Sequence, residues 1–105
     1  MAQFDAYKNT NPSTRSLYPY LVDIQSNTLS NLQTTVVIPL TAEKDYAGKP
    51  LSNLHQLFKI SGKKYIGMTT LIASIDKNIL GDKTTSLSQH RDQIVSALDF
   101  MITGI

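Results

Sequence analysis

A chain of 105 residues is the size of one domain, residues 1–105. Its ten basic and eight acidic residues leave a formal net charge of +2, and Lys63-Lys64 is the only adjacent basic pair, so charge gives no ground for direct nucleic-acid binding. The lack of cysteine excludes a disulfide framework and a thiolate metal site, and no apolar run approaches the roughly eighteen residues of a membrane span.

A domain this small buries a limited share of its surface and gains from oligomerisation. The opening residues Met1-Ala-Gln-Phe-Asp-Ala lack the basic start and apolar stretch of a signal peptide, so a cytoplasmic protein is expected.

In chain order, Gln3 to Tyr7 reads as a short strand with Phe4 and Ala6 on one face. Residues 9–14 are a cluster of turn formers. Leu17 to Ile24 alternates, placing Tyr18, Tyr20, Val22 and Ile24 on one face of a strand. Pro19 has no N–H to give a ladder and belongs at an edge or bulge. A polar loop from Gln25 to Asn31 carries Leu29. Thr34 to Leu40 is β-branched and apolar, the best central strand, with Pro39 expected to end its regular pairing. Ala42 to Asn53, containing Gly48, Lys49 and Pro50, reads as irregular.

Leu54 to Ile60 and Lys63 to Thr70 flank Ser61-Gly62 as a hairpin. A further strand is expected at Thr70 to Ile75, broken by Asp76-Lys-Asn78. After Gly81 to Thr84 comes one helix. Ser86 followed three residues later by Gln89 reads as a capping box. Leu87, Ile94, Leu98, Met101 and Ile105 recur at helical spacing, flanked by Val95 and Ile102, with Asp92, Gln93, Ser96 and Asp99 on the other side. The apolar pattern runs almost to the last residue. Because ordering a chain end costs entropy, this end is expected to be tied against its own fold, a second copy or a partner.

No catalytic constellation emerges. His55 and His90 lack the spacing of paired metal ligands, and there is neither a Gly-x-Ser-x-Gly elbow nor a Gly-rich phosphate loop. No metal, cofactor or catalytic residue is therefore assigned. Asp92 and Asp99 can share a helix face; surface carboxylates are the plain reading, and Asp99 facing a partner the sharper one.

Gln3-Phe4, Val22-Asp23-Ile24-Gln25-Ser26, Val37-Ile38-Pro39-Leu40, Met68-Thr69-Thr70, Leu87-Ser88 and the closing Gly104-Ile105 occur in an order that resembles the CcdB toxins. The pattern of short strands before one helix gives a mostly-β domain. The resemblance implies more: an SH3-like small barrel with a side sheet and one C-terminal helix, forming a homodimer around the C-terminal helices. It further implies a non-enzymatic poison of bacterial DNA gyrase, which binds the gyrase A subunit and blocks religation of cleaved DNA. The gyrase-binding positions it implies are Thr28 and Leu29 in the loop, Asp99 and Ile102 on the helix, and Thr103, Gly104 and Ile105 at its end. A cognate antitoxin with a disordered tail is also implied, and operator DNA touched only through that antitoxin, in a self-repressing module of plasmid maintenance.

The resemblance departs at one position: the best-known members have Trp before Gly-Ile, and here Thr103 stands there. Gly104 has its own rationale, since glycine is favoured just past a helix end. Two competing functions remain: a toxin endoribonuclease sharing the small-barrel fold, and a non-toxic interaction module. For the first, Arg15 and Arg91 are the only arginines available.

Overall fold

The computed structural model describes residues 2–48 and 53–104. Among these residues seven strands form one curled sheet, a half-barrel covered by a single α-helix. They are β1 (Asp5–Asn9), β2 (Tyr20–Asp23), β3 (Thr34–Ala42), β4 (His55–Ile60), β5 (Lys63–Met68), β6 (Ala73–Asp76) and β7 (Leu80–Ser86), followed by α1 (Arg91–Thr103). The order across the sheet is β4-β5-β3-β2-β1-β7, with β6 paired to β3 off this path.

The nine-residue β3 organises the rest. One of its edges pairs with β2, from Tyr20↔Leu40 to Asp23↔Val37. The other is shared: β6 takes Thr34 to Val37, and β5 takes Leu40 to Ala42. The β-branched run therefore forms the expected centre, but Pro39 does not end it. The bond from Ile24 N–H to Val36 O at 2.9 Å marks that pair as hydrogen-bonded. Alternation then makes Leu21↔Pro39 a non-hydrogen-bonded pair, and the proline nitrogen points toward the gap between β5 and β6, where no ladder needs a donor.

The core lies between the sheet and α1. Phe4, Ala6, Val22, Ile38, Leu40 and Phe58 are buried there with Ile94 of the helix, and Tyr20, Ile24, Val95 and Leu98 pack at its margin. The Tyr20 and Tyr65 rings meet edge-on, with centroids 5.0 Å apart. Hairpin β4-β5 is as expected. Ser61 and Gly62 both have positive φ, 53° and 79°, the geometry of a two-residue type I′ turn.

Other expectations are corrected. The second strand starts at Tyr20 rather than Leu17, because residues 12–17 turn and Tyr18 N–H bonds back to Thr14 O at 2.8 Å. Tyr18 therefore leaves the core face and lines a groove on the opposite face with Leu21, Val37 and Pro39. Thr69–Leu71 forms a 3-10 turn, so the strand expected from Thr70 begins at Ala73. Residues 80–85, unassigned from sequence, form β7 against β1 together with Ser86, which was expected to open the helix. Ser86 is its last residue, so it does not cap the helix. Its Oγ accepts from Ser88 N–H at 3.3 Å, a 3-10 turn at Ser88–His90 intervenes, and α1 starts at Arg91 without a side-chain cap. Of the stretch from Ala42 to Asn53 expected to be irregular, Ala42 still belongs to β3, Glu43–Asp45 forms a 3-10 turn, and residues 49–52 lie outside the described residues.

Candidate functional site

The first group of candidate residues lies on the last turns of α1. The helix buries Ile94 and Ala97 and half-buries Val95, Leu98 and Met101, a stripe that holds it to the sheet. Asp99, Ile102 and Thr103 face away. Ile102 is 74% exposed, the most exposed of the large hydrophobics described. Asp99 and Ile102, three apart, are neighbours on the helix surface.

The helix stops at Gly104, which is left-handed (φ 77°, ψ 14°) and returns its N–H to Phe100 O at 2.9 Å. That is the ending expected of glycine. Thr103 Oγ1 donates to Asp99 O at 2.7 Å. No basic side chain lies in the last turn, so the negative end of the helix dipole meets no cation of its own helix. Ile105 lies outside the described residues.

The second group is the loop after β2. Asn27–Leu29 forms a 3-10 turn capped by Ser26, whose Oγ accepts from Thr28 N–H at 3.3 Å and lies 2.9 Å from Thr28 Oγ1. Leu29 is 47% exposed. The chain start holds this turn. Gln3 N–H donates to Asn27 Oδ1 at 2.8 Å, Gln3 Nε2 donates to Ile24 O at 3.1 Å, and Phe4 N–H donates to Asp23 O. Beneath it, buried Asp23 accepts from Thr35 Oγ1 at 2.7 Å and Gln25 N–H at 3.1 Å. Lys77 Nζ closes the far side on Ser30 O at 2.6 Å.

The sequence-derived residues thus form two exposed patches, one on the loop and one on the helix end. No hydrogen bond or ion pair joins them among the described residues; both are anchored in the same core, through Ile24 and Leu98. Sequence reasoning missed the clamp by Gln3 and Asn27. The stretch reads from sequence only as a polar loop; Ser26-Asn27-Thr28 is a run of residues that favour side-chain-capped turns, but nothing local ties it to the chain start.

The two histidines are held by packing. His90 stacks edge-on against Phe58 at 5.2 Å, with Nδ1 3.0 Å from Gln93 Oε1. His55 is buried against Tyr46. Arg91 lies 3.8 Å from Asp92 at the helix start, and Arg15 is in the loop after β1. Among the described residues no cluster of three or more metal-ligating side chains occurs, and no helix is long and apolar enough to cross a membrane.

This fold is shared with solved structures of other proteins. One is an endoribonuclease from a mycobacterial species, at 15% identity and TM-score 0.68 over 94% of this chain and 88% of that one. A second, solved in complex with its cognate antitoxin and also from a mycobacterial species, matches at 15% identity and TM-score 0.70 over 94% and 91%. At this identity the likeness establishes the fold. The family model for CcdB protein matches residues 3–104, and the chain belongs to the CcdB family of toxins.

Proposed function

We propose that this chain is the toxin of a toxin–antitoxin module and poisons DNA gyrase by binding its A subunit while the enzyme holds cleaved DNA. A ligand that prefers one state of a catalytic cycle accumulates that state. Here the accumulated state is a double-strand break, so no chemistry by the toxin is required. The observation that carries the reading is exposed Ile102 beside Asp99, on a helix ended by left-handed Gly104, in a chain of the CcdB family. An apolar side chain held on a rigid helix costs little entropy to dock. The uncompensated helix end and Asp99 suit a basic side chain on the partner. Thr28 and Leu29 supply the second contact, with Thr103, Gly104 and Ile105 closing the first.

In this reading the toxin acts in the cytoplasm as a homodimer. The apolar groove of Leu21, Val37, Pro39 and Ala73, on the sheet face away from the core and from α1, suits a second copy, in place of the pairing around the C-terminal helices that the family resemblance implies. An antitoxin with a disordered tail neutralises the dimer, and operator DNA is met through that antitoxin.

The test is cleavage trapping: purified gyrase, supercoiled plasmid, ATP and toxin, with linear DNA counted after the enzyme is denatured. Linear DNA should rise with toxin and disappear when Thr103 to Ile105 are removed. A truncated chain that remained fully active would refute the helix-end site. The second reading, a toxin endoribonuclease, draws on the solved neighbours. Loss of intact RNA on incubation with the pure protein, without trapped gyrase, would favour it.

A further inference from the structure

Among the described residues the sheet does not close on itself: β4 and β7 are the outer strands of its main path. They flank a groove of about 450 Å³, lined by Leu57, Lys59, Lys64, Ser86, Leu87 and His90 among others. We propose that this seam binds an extended, acidic peptide segment of a partner protein, which adds a strand along β4 at Leu57 and Lys59.

Backbone geometry comes first. With Ile60↔Lys63 flanking a two-residue turn, that pair is hydrogen-bonded, and alternation makes Lys59↔Lys64 and Leu57↔Ile66 non-hydrogen-bonded. The N–H and C=O groups of Leu57 and Lys59 therefore point away from β5, into the seam. On the opposite wall, Leu87 N–H donates to Phe4 O at 2.8 Å, so Asp5↔Ser86 is the non-hydrogen-bonded pair and the Ser86 backbone also turns outward from β1. Outward-facing donors and acceptors at a strand edge are what an added strand pairs with.

Charge then selects the occupant. Lys59 and Lys64 are directly opposite, in the pair type where side chains approach most closely. Like charges so placed destabilise a sheet. Neither lysine has an acidic partner among the described residues, and the groove lining contains no carboxylate. A carboxylate from an incoming strand relieves both ammonium groups at once. Half-exposed Leu57 beside them offers apolar contact to alternate residues of the same strand. The helix-end surface proposed above shares no residue with this seam, so the inference stands independently of gyrase binding.

The probe is a fluorescent synthetic peptide of alternating glutamate and valine, titrated into the intact protein by anisotropy and by amide NMR. Saturable binding that weakens with added salt is expected, with exchange protection gained at the Leu57 and Lys59 amides. Lys59→Glu combined with Lys64→Glu, checked for fold by circular dichroism, should weaken binding by about tenfold or more, while Ile102→Asp should leave it unchanged. A single-stranded oligonucleotide that bound more tightly than the peptide would make this a phosphate site and overturn the assignment. So would Leu57 and Lys59 amides left unperturbed at about millimolar peptide, a concentration corresponding to very weak binding. In that case, self-association of a Lys59→Ala chain would show that the lysines only guard the edge.

Discussion

Gln3 and Asn27, 24 positions apart, are joined by a bond from the Gln3 backbone N–H to Asn27 Oδ1 at 2.8 Å. With Gln3 Nε2 on Ile24 O and Phe4 N–H on Asp23 O, the chain start braces the turn that carries Thr28 and Leu29. Phe4 takes the uncommon φ of 71° at this junction. The brace links a local backbone cost to the orientation of an exposed candidate contact.

Asn27→Ala should therefore loosen the turn while sparing the core. One lost hydrogen bond is worth about 1 kcal/mol, enough to raise local opening roughly fivefold. Amide exchange at Thr28 and Leu29 should quicken while that of Ile38 and Leu40 is unchanged, and linear DNA in the trapping assay should fall. Unchanged exchange at Thr28 would show that Ser26 alone holds the turn.

The hairpin turn offers a gain of stability. Ser61 sits at φ 53° without glycine's freedom, and asparagine tolerates that region better. Ser61→Asn should stabilise by about 0.5 kcal/mol, read as a higher urea midpoint at constant slope. A lower midpoint would mean that the serine makes a favourable contact in the turn that asparagine cannot replace.

Legibility followed periodicity. β3 and the β4-β5 hairpin were readable because branched residues and a two-residue turn signal act locally. β7 was not. Residues 80–86, Leu-Gly-Asp-Lys-Thr-Thr-Ser, are largely polar and half-covered, and their register against β1 shifts twice, so no alternation survives. That strand also takes Ser86 away from the helix, which displaced the expected cap. At the site, Ile102 and Gly104 were singled out by the family resemblance rather than by periodicity, and only Gly104 had a local rationale of its own, glycine's place past a helix end. The brace on Asn27 is a contact across the fold and left no local trace.

Alkali should unfold the protein sooner than its tyrosine count suggests. Burial, then the negative charges of Asp5 and Asp23, push the Tyr7 hydroxyl above its ordinary value of 10.0. Burial, then Tyr20, does the same for Tyr65. The fold thus holds these protons more tightly than the unfolded chain. The associated stability is complete below the unfolded value and is lost as pH rises through the folded one. Urea midpoints should drop above pH of about 10, and Tyr7→Phe should flatten part of that drop. Identical pH slopes for the two chains would remove Tyr7 as a cause.

The helix end makes the sharpest prediction, because one residue separates it from the best-known members of its family. Thr103 is exposed, and its hydroxyl is spent on Asp99 O within the helix, so the side chain offers a partner little more than a methyl group. A tryptophan there would add a broad apolar face next to Ile102, able to stack on a basic side chain. Large anchors of this kind contribute about 2–4 kcal/mol. Since Thr103 packs against no core residue, Thr103→Trp should leave the urea midpoint nearly unchanged and lower the toxin concentration needed for half-maximal linear DNA by at least about tenfold. If the tryptophan chain traps no more cleaved DNA than the parent, and both bind gyrase equally, contact is carried by Ile102 and the loop rather than by the final turn. If neither traps any, the proposed target is wrong while the fold and family stand.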